Sequence, residues 1–307
     1  MLTFLSGGTG TPKLLRGIKR IMPSEEICVI ANTGEDMRIS GIYFSPDVDS
    51  VVYSLAGMID TDLWYGIGGD SFITHDSLLE LGHDELLRIG DRDRATKIFR
   101  TMMIDDGMAL SDATAAICNA LGVKESVFPM TDDAVRTTLF TDIGQMAFHD
   151  YWVRDRGDHK LSSIEFKGSD GAAVPQKAKG KLSESDAIII GPSNPITSIL
   201  PILSVKGIRR ACKDNYTMAI SPINRGGVFS GPAARLMDDL GYEVSPLGVA
   251  KAYDGLLDSI VIDRSDEGLA KELKDTGIDV FITDIAMKDL NKSISLGRNI
   301  LDFLVIN

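Results

Sequence analysis

Apolar residues along this chain alternate between two spacings. Leu2–Leu5 and Ile27–Ile30 are short unbroken apolar runs, the pattern of strands covered on both faces. Between them Thr11-Pro12 opens a helical pattern. Thr suits the N-cap, and Pro suits the first turn, where its missing N–H costs nothing. Strand, helix and strand within about 30 residues predict a βαβ unit with parallel strands and a right-handed crossover. From about residue 50 to 125 the period shifts towards 3.6 in "VVYSLAGMI", "SLLELGHDELLRIG", "ATKIFRTMMI" and "SDATAAICNALGV", so this stretch is expected to be a helical insertion. From about 135 to 167, "VRTTLFTD", "QMAFHDYWVRD" and "SSIEFKG" are rich in aromatics, Thr and Val and predict a small antiparallel β excursion. The α/β rhythm then returns with strands at "DAIIIG", "YTMAIS", "SIVID" and "DVFITD", and "SISLGRNILDFLVI" closes the chain as a helix.

The expected fold class is α/β: a doubly wound, Rossmann-like, mostly parallel sheet carrying both insertions, with residues 1–307 as a single domain. Composition agrees with a globular chain, at 44% hydrophobic and 25% charged residues. The formal net charge of −12 argues against nucleic acid or an anionic membrane as partner, since both require a clustered basic surface. No apolar run approaches the roughly 18 residues of a membrane span, and no basic leader precedes an apolar stretch. Cys28, Cys118 and Cys212 form no C-x-x-C pair, so neither a zinc knuckle nor a redox dithiol is signalled, and a reducing cytoplasm is the expected compartment. A homodimer is expected only because folds of this kind so often pair.

Ligands of open α/β sheets sit beyond the carboxyl ends of the strands. Four loops fall there: "SGGTGTPK", "ANTGED", "GPSNP" and "SPINRGG". In the first, Gly7, Gly8 and Gly10 allow positive φ and close backbone approach. Thr9 completes the loop, the following helix points free N–H groups at it, and Lys13 adds a charge. This suits a phosphate or diphosphate. The loop is neither a Walker A motif nor a good G-x-G-x-x-G, because Pro12 and Lys13 stand where the third glycine would fall. Asn32 and Thr33 end the second strand, where a nicotinamide-binding protein presents an acid, so NAD binding is disfavoured. Prolines stiffen the turn around Ser193, Asn194 and Pro195; Ser221, Asn224, Arg225 and Gly226-Gly227 supply polar groups and flexible backbone in the fourth loop. In "SPDVDS", one of Asp47 and Asp49 is expected to cap a helix, leaving the other for Mg²⁺ or an acceptor hydroxyl. In "RIGDRDRATK", Asp93 is expected as a cap with Arg92 solvated, while arginine also offers planar bidentate recognition of phosphate or a heteroaromatic edge. The four histidines have no metal spacing.

Together, "GGTGTPKLLRG", "ANTGED", "SPDVDS", "IGDRD", "FPMTDDAVRT", "IIIGPSNPITSILPIL", "GPAARLMDDLG" and "SPLGVAKAYDGLLDSIVID" resemble the 2-phospho-L-lactate transferase family, in order and over almost the whole chain. The resemblance implies a step in making the deazaflavin coenzyme F-420. The acceptor would be the deazaflavin Fo, and the donor lactyl-2-diphospho-5′-guanosine or a phosphoenolpyruvyl analogue. GMP would leave, with Mg²⁺ as cofactor. It places Gly7, Gly8, Thr9, Gly10, Lys13, Ser193, Asn194, Pro195, Ser221 and Asn224 on the nucleotide and phosphate side. Asn32, Thr33, Asp49, Arg88 and Asp91 fall on the Fo side. Asp49 would lie beside the ribityl hydroxyl, and Asp47 and Asp49 would be catalytic residues and metal ligands. After "SPI", Arg225 stands in a glycine context, a departure from the family pattern. The rival expectation is a regulatory protein that binds a nucleotide or nucleotide-sugar without reaction.

Overall fold

A computed structural model describes residues 1–224, 227–228 and 231–306. Arg225 and Gly226, named above as a source of charge and close approach, lie outside the described residues. Seven strands form one sheet in the spatial order Asp279–Thr283, Ser259–Asp263, Tyr216–Ile220, Ala187–Ile190, Leu2–Ser6, Ile27–Ala31, Ser126–Pro129. Every pairing between them is parallel. The chain begins in the middle: Leu5 pairs with Ile30 on one side and with Ile190 on the other. Successive strands first build outward past Ile27–Ala31, then return and build in the opposite direction. The order therefore reverses between Leu2–Ser6 and Ala187–Ile190, the position at which such sheets open a crevice.

Both faces of the sheet are covered, which is why its strands read as unbroken apolar runs rather than alternations. Leu5, Ile30, Ile188 and Ile190 face one core, packed with Ala178, Leu182 and Ile202. Phe4, Val29, Ile189 and Val261 face the other, packed with Leu14, Ile18, Val51 and Leu296. On that second face the helix Gly10–Ile18 crosses the helix Leu290–Ile306. A Cβ on Gly17 would lie 2.3 Å from the Ser293 carbonyl, so glycine sets the distance of this crossing.

The insertion contains the helices Pro46–Ala56, Ile73–Glu80, Asp91–Asp105 and Leu110–Ala120. The β excursion is a three-stranded antiparallel sheet with Arg136–Thr141 between Gly144–Ala147 and Leu161–Lys167. Two local expectations differ. "SLLELGHDELLRIG" is helical only to Glu80, because Gly82 takes φ 86° and the chain beyond is tied by Glu85 to Arg94, His75 and Ser40 instead. "QMAFHDYWVRD" is a strand only to Ala147, and Asp150–Arg154 is a helical turn. The edge strand Ser126–Pro129 and the hairpin Met37–Ile39/Ile42–Phe44 carry no clear sequence signal. The hairpin turns on Ser40 (φ 50°) and Gly41 (φ 83°), two residues in the left-handed region as a tight hairpin demands. Among the described residues no helix is long and apolar enough to cross a membrane.

Candidate active site

At the reversal point lies a cleft of about 320 Å³. Its polar lining is Gly8, Thr9 and Gly10 from the first loop, Glu35 from the second, Asp47, and Ser193 and Asn194 from the third. The rest of the lining is largely apolar, with Phe44, Leu63, Trp64, Tyr65, Phe148 and Trp152.

Ser193 binds the first and third loops together. Its Oγ accepts from the Gly7 N–H (3.1 Å) and the Thr11 N–H (3.4 Å) and lies 2.8 Å from Thr11 Oγ1. Thr11 is thus buried against Ser193 rather than capping the helix, which starts at Gly10 with Thr9 at its N-cap. The loop glycines answer to space and not to positive φ. A Cβ would lie 2.5 Å from Ser198 Cβ at Gly7, 2.4 Å from Asp47 Oδ1 at Gly8 and 1.7 Å from the Pro192 carbonyl oxygen at Gly10. The backbone N–H groups of Gly8, Thr9 and Gly10 meet no acceptor among the described residues, and they line the cleft at the positive end of a helix. Since Gly10 meets backbone rather than a movable side chain, Gly10→Ala is expected to cost about 1–3 kcal/mol or more. Chemical denaturation measures that cost.

Asp47 and Asp49 lie in the first turn of Pro46–Ala56, and neither acts as a cap. Two residues apart, they point about 200° apart around the helix axis. Asp47 turns to the cleft. Its Oδ2 accepts from Asn32 Nδ2 (2.9 Å), and Asn32 is itself fixed by the Gly34 N–H and the Thr197 carbonyl. Burial pushes the Asp47 carboxyl up to about 7, against the Asn32 hydrogen bond that lowers it. Glu35, also buried, is raised well above the carboxylate range by burial and then by the charge of Asp47. The cleft thus holds two interacting carboxylates. Glu35 stands in the "ANTGED" loop as a lone acid that no local spacing marks.

Asp49 turns the other way. Arg100 grips both its oxygens, and Lys97 Nζ lies 3.2 Å from Oδ2. Burial works against the ionised form, but the Arg100 and Lys97 charges outweigh it and hold Asp49 below its usual range. Arg100 is fully buried and Lys97 1% exposed; Lys97 also pairs with Asp93, which accepts from the Tyr53 hydroxyl (2.8 Å). Asp49, Asp93 and Arg88 line a recess of about 30 Å³ that shares Phe44, Tyr65 and Leu87 with the main cleft. Arg88 also stacks 3.9 Å from the Phe72 ring centroid.

The "GDRD" motif is a reciprocal clamp. Asp91 accepts from the Ile73 and Thr74 N–H groups (both 3.0 Å) at the start of Ile73–Glu80. Asp70 accepts from the Arg92 and Asp93 N–H groups (3.0 and 2.9 Å) at the start of Asp91–Asp105. The cap is Asp70, and Asp93, expected in that role, is an ion-pair partner instead.

The remaining candidates divide between the cleft and its surroundings. Asn194 lines the cleft while its Oδ1 caps the turn Pro195–Ile199, accepting from Ile196 (3.0 Å) and Thr197 (3.5 Å). Pro195 is buried in that turn, and Thr33 is buried beside Asn32. Lys13 lies outside the cleft lining with Nζ 4.8 Å from the Trp64 ring centroid, and its pKa is lowered by burial. Ser221 is buried in its own turn, bonded to Ile223. Asn224 lines a separate cavity of about 540 Å³ with Ser245, Ser265 and Asp266. His149, given no role from sequence, lines the cleft; its Nε2 lies 3.1 Å from the Glu35 carbonyl oxygen, and burial brings its pKa down to about 4. Among the described residues no group of three or more His, Cys, Asp or Glu converges as a metal centre.

A family model described as 2-phospho-L-lactate transferase CofD matches residues 2–297. The chain is 45% identical over 307 residues to the 2-phospho-L-lactate transferase of Methanocaldococcus jannaschii, covering 99% of this chain and 98% of that one. It is 44% identical over 301 residues to the enzyme of the same description from Methanothermobacter thermautotrophicus, covering 98% and 97%. Among solved structures, a upf0052 family member (BH3568) from Bacillus halodurans is similar with a TM-score of 0.64 over 98% of both chains, at 19% identity, a likeness of fold alone. A switch-point cleft with an anion-ready loop and two carboxylates, together with a family match over nearly the full length, shows that this chain is an enzyme belonging to the 2-phospho-L-lactate transferase family.

Proposed function

We propose that the enzyme moves the 2-phospho-L-lactyl group from lactyl-2-diphospho-5′-guanosine to the terminal ribityl hydroxyl of Fo. The hydroxyl oxygen forms a bond to the distal phosphorus, the bond from that phosphorus to the bridging oxygen breaks, GMP leaves, and the hydroxyl proton is released. The products are coenzyme F-420-0 and GMP. The observation that carries this reading is the mixed lining of the cleft, polar and aromatic. Its polar lining offers the Gly8, Thr9 and Gly10 N–H groups to a diphosphate, and its aromatic residues suit a flat tricyclic acceptor. Transfer of this kind needs alignment and charge neutralisation more than covalent help.

Mg²⁺ fits this site. Two buried carboxylates, Glu35 and Asp47, repel one another beside a loop built for phosphate, and Mg²⁺ takes one or two carboxylates together with phosphate oxygens and water. Glu35 and Asp47 would hold it, and it would supply positive charge to the diphosphate. Asp49 is a poorer ligand, because Arg100 and Lys97 already occupy its oxygens. Asp49 and Arg88 line the small recess beside the cleft, and in this reading that recess would lie towards Fo. The Ser193-Asn194 turn would carry the nucleotide half of the donor.

Incubation of the protein with Fo, Mg²⁺ and each donor, followed by mass analysis of Fo, tests the reading. A gain of the phospholactyl mass is expected. A gain only with the phosphoenolpyruvyl donor would replace the donor, and no gain with either would overturn the proposal. Fo is fluorescent, so titration against the protein separates failed chemistry from failed binding; nucleotide binding without Fo binding would favour the regulatory alternative.

A further inference from the structure

The loop that carries Glu35 is tied to the β excursion through two successive carbonyls. The Gly34 carbonyl accepts from the Thr137 N–H (2.7 Å), at the start of Arg136–Thr141. The Glu35 carbonyl oxygen lies 3.1 Å from Nε2 of His149, just beyond Gly144–Ala147. A carbonyl oxygen only accepts, so Nε2 carries the ring proton and donates. His149 is 7% exposed, and Phe148 packs edge-on to its ring with centroids 5.6 Å apart. Phe148, His149, Trp152 and Val153, all from one short segment, line the cleft. A second cavity of about 560 Å³ is also lined by Glu35, Phe148 and His149. This part of the chain thus lies between two open spaces, where a hydrogen bond and not packing alone sets the place of Glu35.

We propose that His149 is a positioning residue: by holding the Glu35 backbone it aims the Glu35 carboxylate at the metal, and it links metal binding at Glu35 to acceptor binding against Phe148 and Trp152. The inference rests on the reading of Glu35 as a Mg²⁺ ligand and of the aromatic residues as the acceptor's place. An acceptor packed on Phe148 and Trp152 fixes the segment that bears His149, and with it the Glu35 carbonyl. A metal on the Glu35 carboxylate fixes the same hydrogen bond from its other end. Such coupling is reciprocal: the acceptor tightens the metal by the factor by which the metal tightens the acceptor.

Mn²⁺ serves as the probe in place of Mg²⁺, because electron paramagnetic resonance counts free Mn²⁺ directly. The wild type is expected to bind Mn²⁺ at least about 5-fold tighter with Fo than without it. His149→Leu removes the donor. It should bind Mn²⁺ about 10-fold more weakly, the scale of losing a group that orients a metal ligand, and its gain from Fo should fall below about 2-fold. His149→Gln places an amide N–H within reach of the Glu35 carbonyl and should restore both. Where thermal melts show that His149→Leu has unfolded, His149→Asn, whose amide falls short of that carbonyl, replaces it and is expected to behave the same. No Mn²⁺ binding to the wild type, undiminished affinity or undiminished gain from Fo in His149→Leu, or a loss that His149→Gln leaves unrepaired would overturn the proposal. Fluorescence titration of Fo separates this failure from that of the functional reading. If Fo does not bind the wild type, that reading falls, while the Mn²⁺ affinities without Fo still decide whether His149 positions Glu35.

Discussion

Replacing Asp47 with Asn is expected to reduce turnover on the order of 10²–10³-fold, the scale of removing one preorganised electrostatic group, while making the metal-free protein more stable at pH 8. The two effects share one cause. Asp47 is buried beside Glu35, and burial pushes its carboxyl up to about 7, above the usual carboxylate range. Folded protein therefore binds more protons than unfolded protein between about pH 4 and 7. That contribution to stability is present at low pH and is lost as pH rises through 7, by up to about 1.4 kcal/mol per pH unit for each such proton. Asn keeps the shape and can still accept from Asn32, but has no charge to bury. The metal-free wild type should lose stability from pH 5 to 7, the variant should lose less, and Mg²⁺ should stabilise the wild type at pH 8 far more than the variant. Thermal melts over pH with and without Mg²⁺, alongside the mass assay, check each part. Equal turnover in wild type and variant would remove Asp47 from the reaction.

Arg100→Leu is expected to be the most destabilising single change, about 3–5 kcal/mol by chemical denaturation, because it leaves the buried Asp49 carboxylate without its bidentate partner. Lys97 remains near Asp49 but is shared with Asp93. Removing the acid as well should recover much of the loss, so Asp49→Leu/Arg100→Leu is expected to be more stable than Arg100→Leu alone. Sub-additive costs would identify the pair as a structural unit. Strictly additive costs would mean that each residue serves something else.

The sheet was legible because strands covered on both faces leave unbroken apolar runs, and its ligand-binding end followed from the glycine, proline and asparagine loops beyond them. The same logic reached Gly8, Thr9, Gly10, Asp47, Ser193 and Asn194, all of which line the cleft. It could not separate Asp47 from Asp49. Both are Asp in one helical turn, and only the half-turn between them, with Arg100 arriving from a helix some 50 residues on, turns one to the cleft and the other to an ion pair. Asp91 and Asp93 posed the same difficulty, since Asp70 takes the cap that local spacing offers to Asp93. Glu35 and the aromatic lining were hidden for another reason. A lone acid in a loop, or Trp64 and Trp152 far apart in sequence, carries no periodic signal until the fold brings it to one cleft.

The crossing of Gly10–Ile18 against Leu290–Ile306 has a consequence for synthesis. A nascent chain emerges from its N-terminal end, so the helix behind the phosphate-facing loop, Gly10–Ile18, is made long before its packing partner Leu290–Ile306. Until residues near Ser293 leave the ribosome, Leu14 and Ile18 lack part of their cover and the loop lacks a firm backing. The cleft is thus expected to close only after translation of Leu290–Ile306, and chains halted before that helix should be open to proteases around Gly10–Ile18.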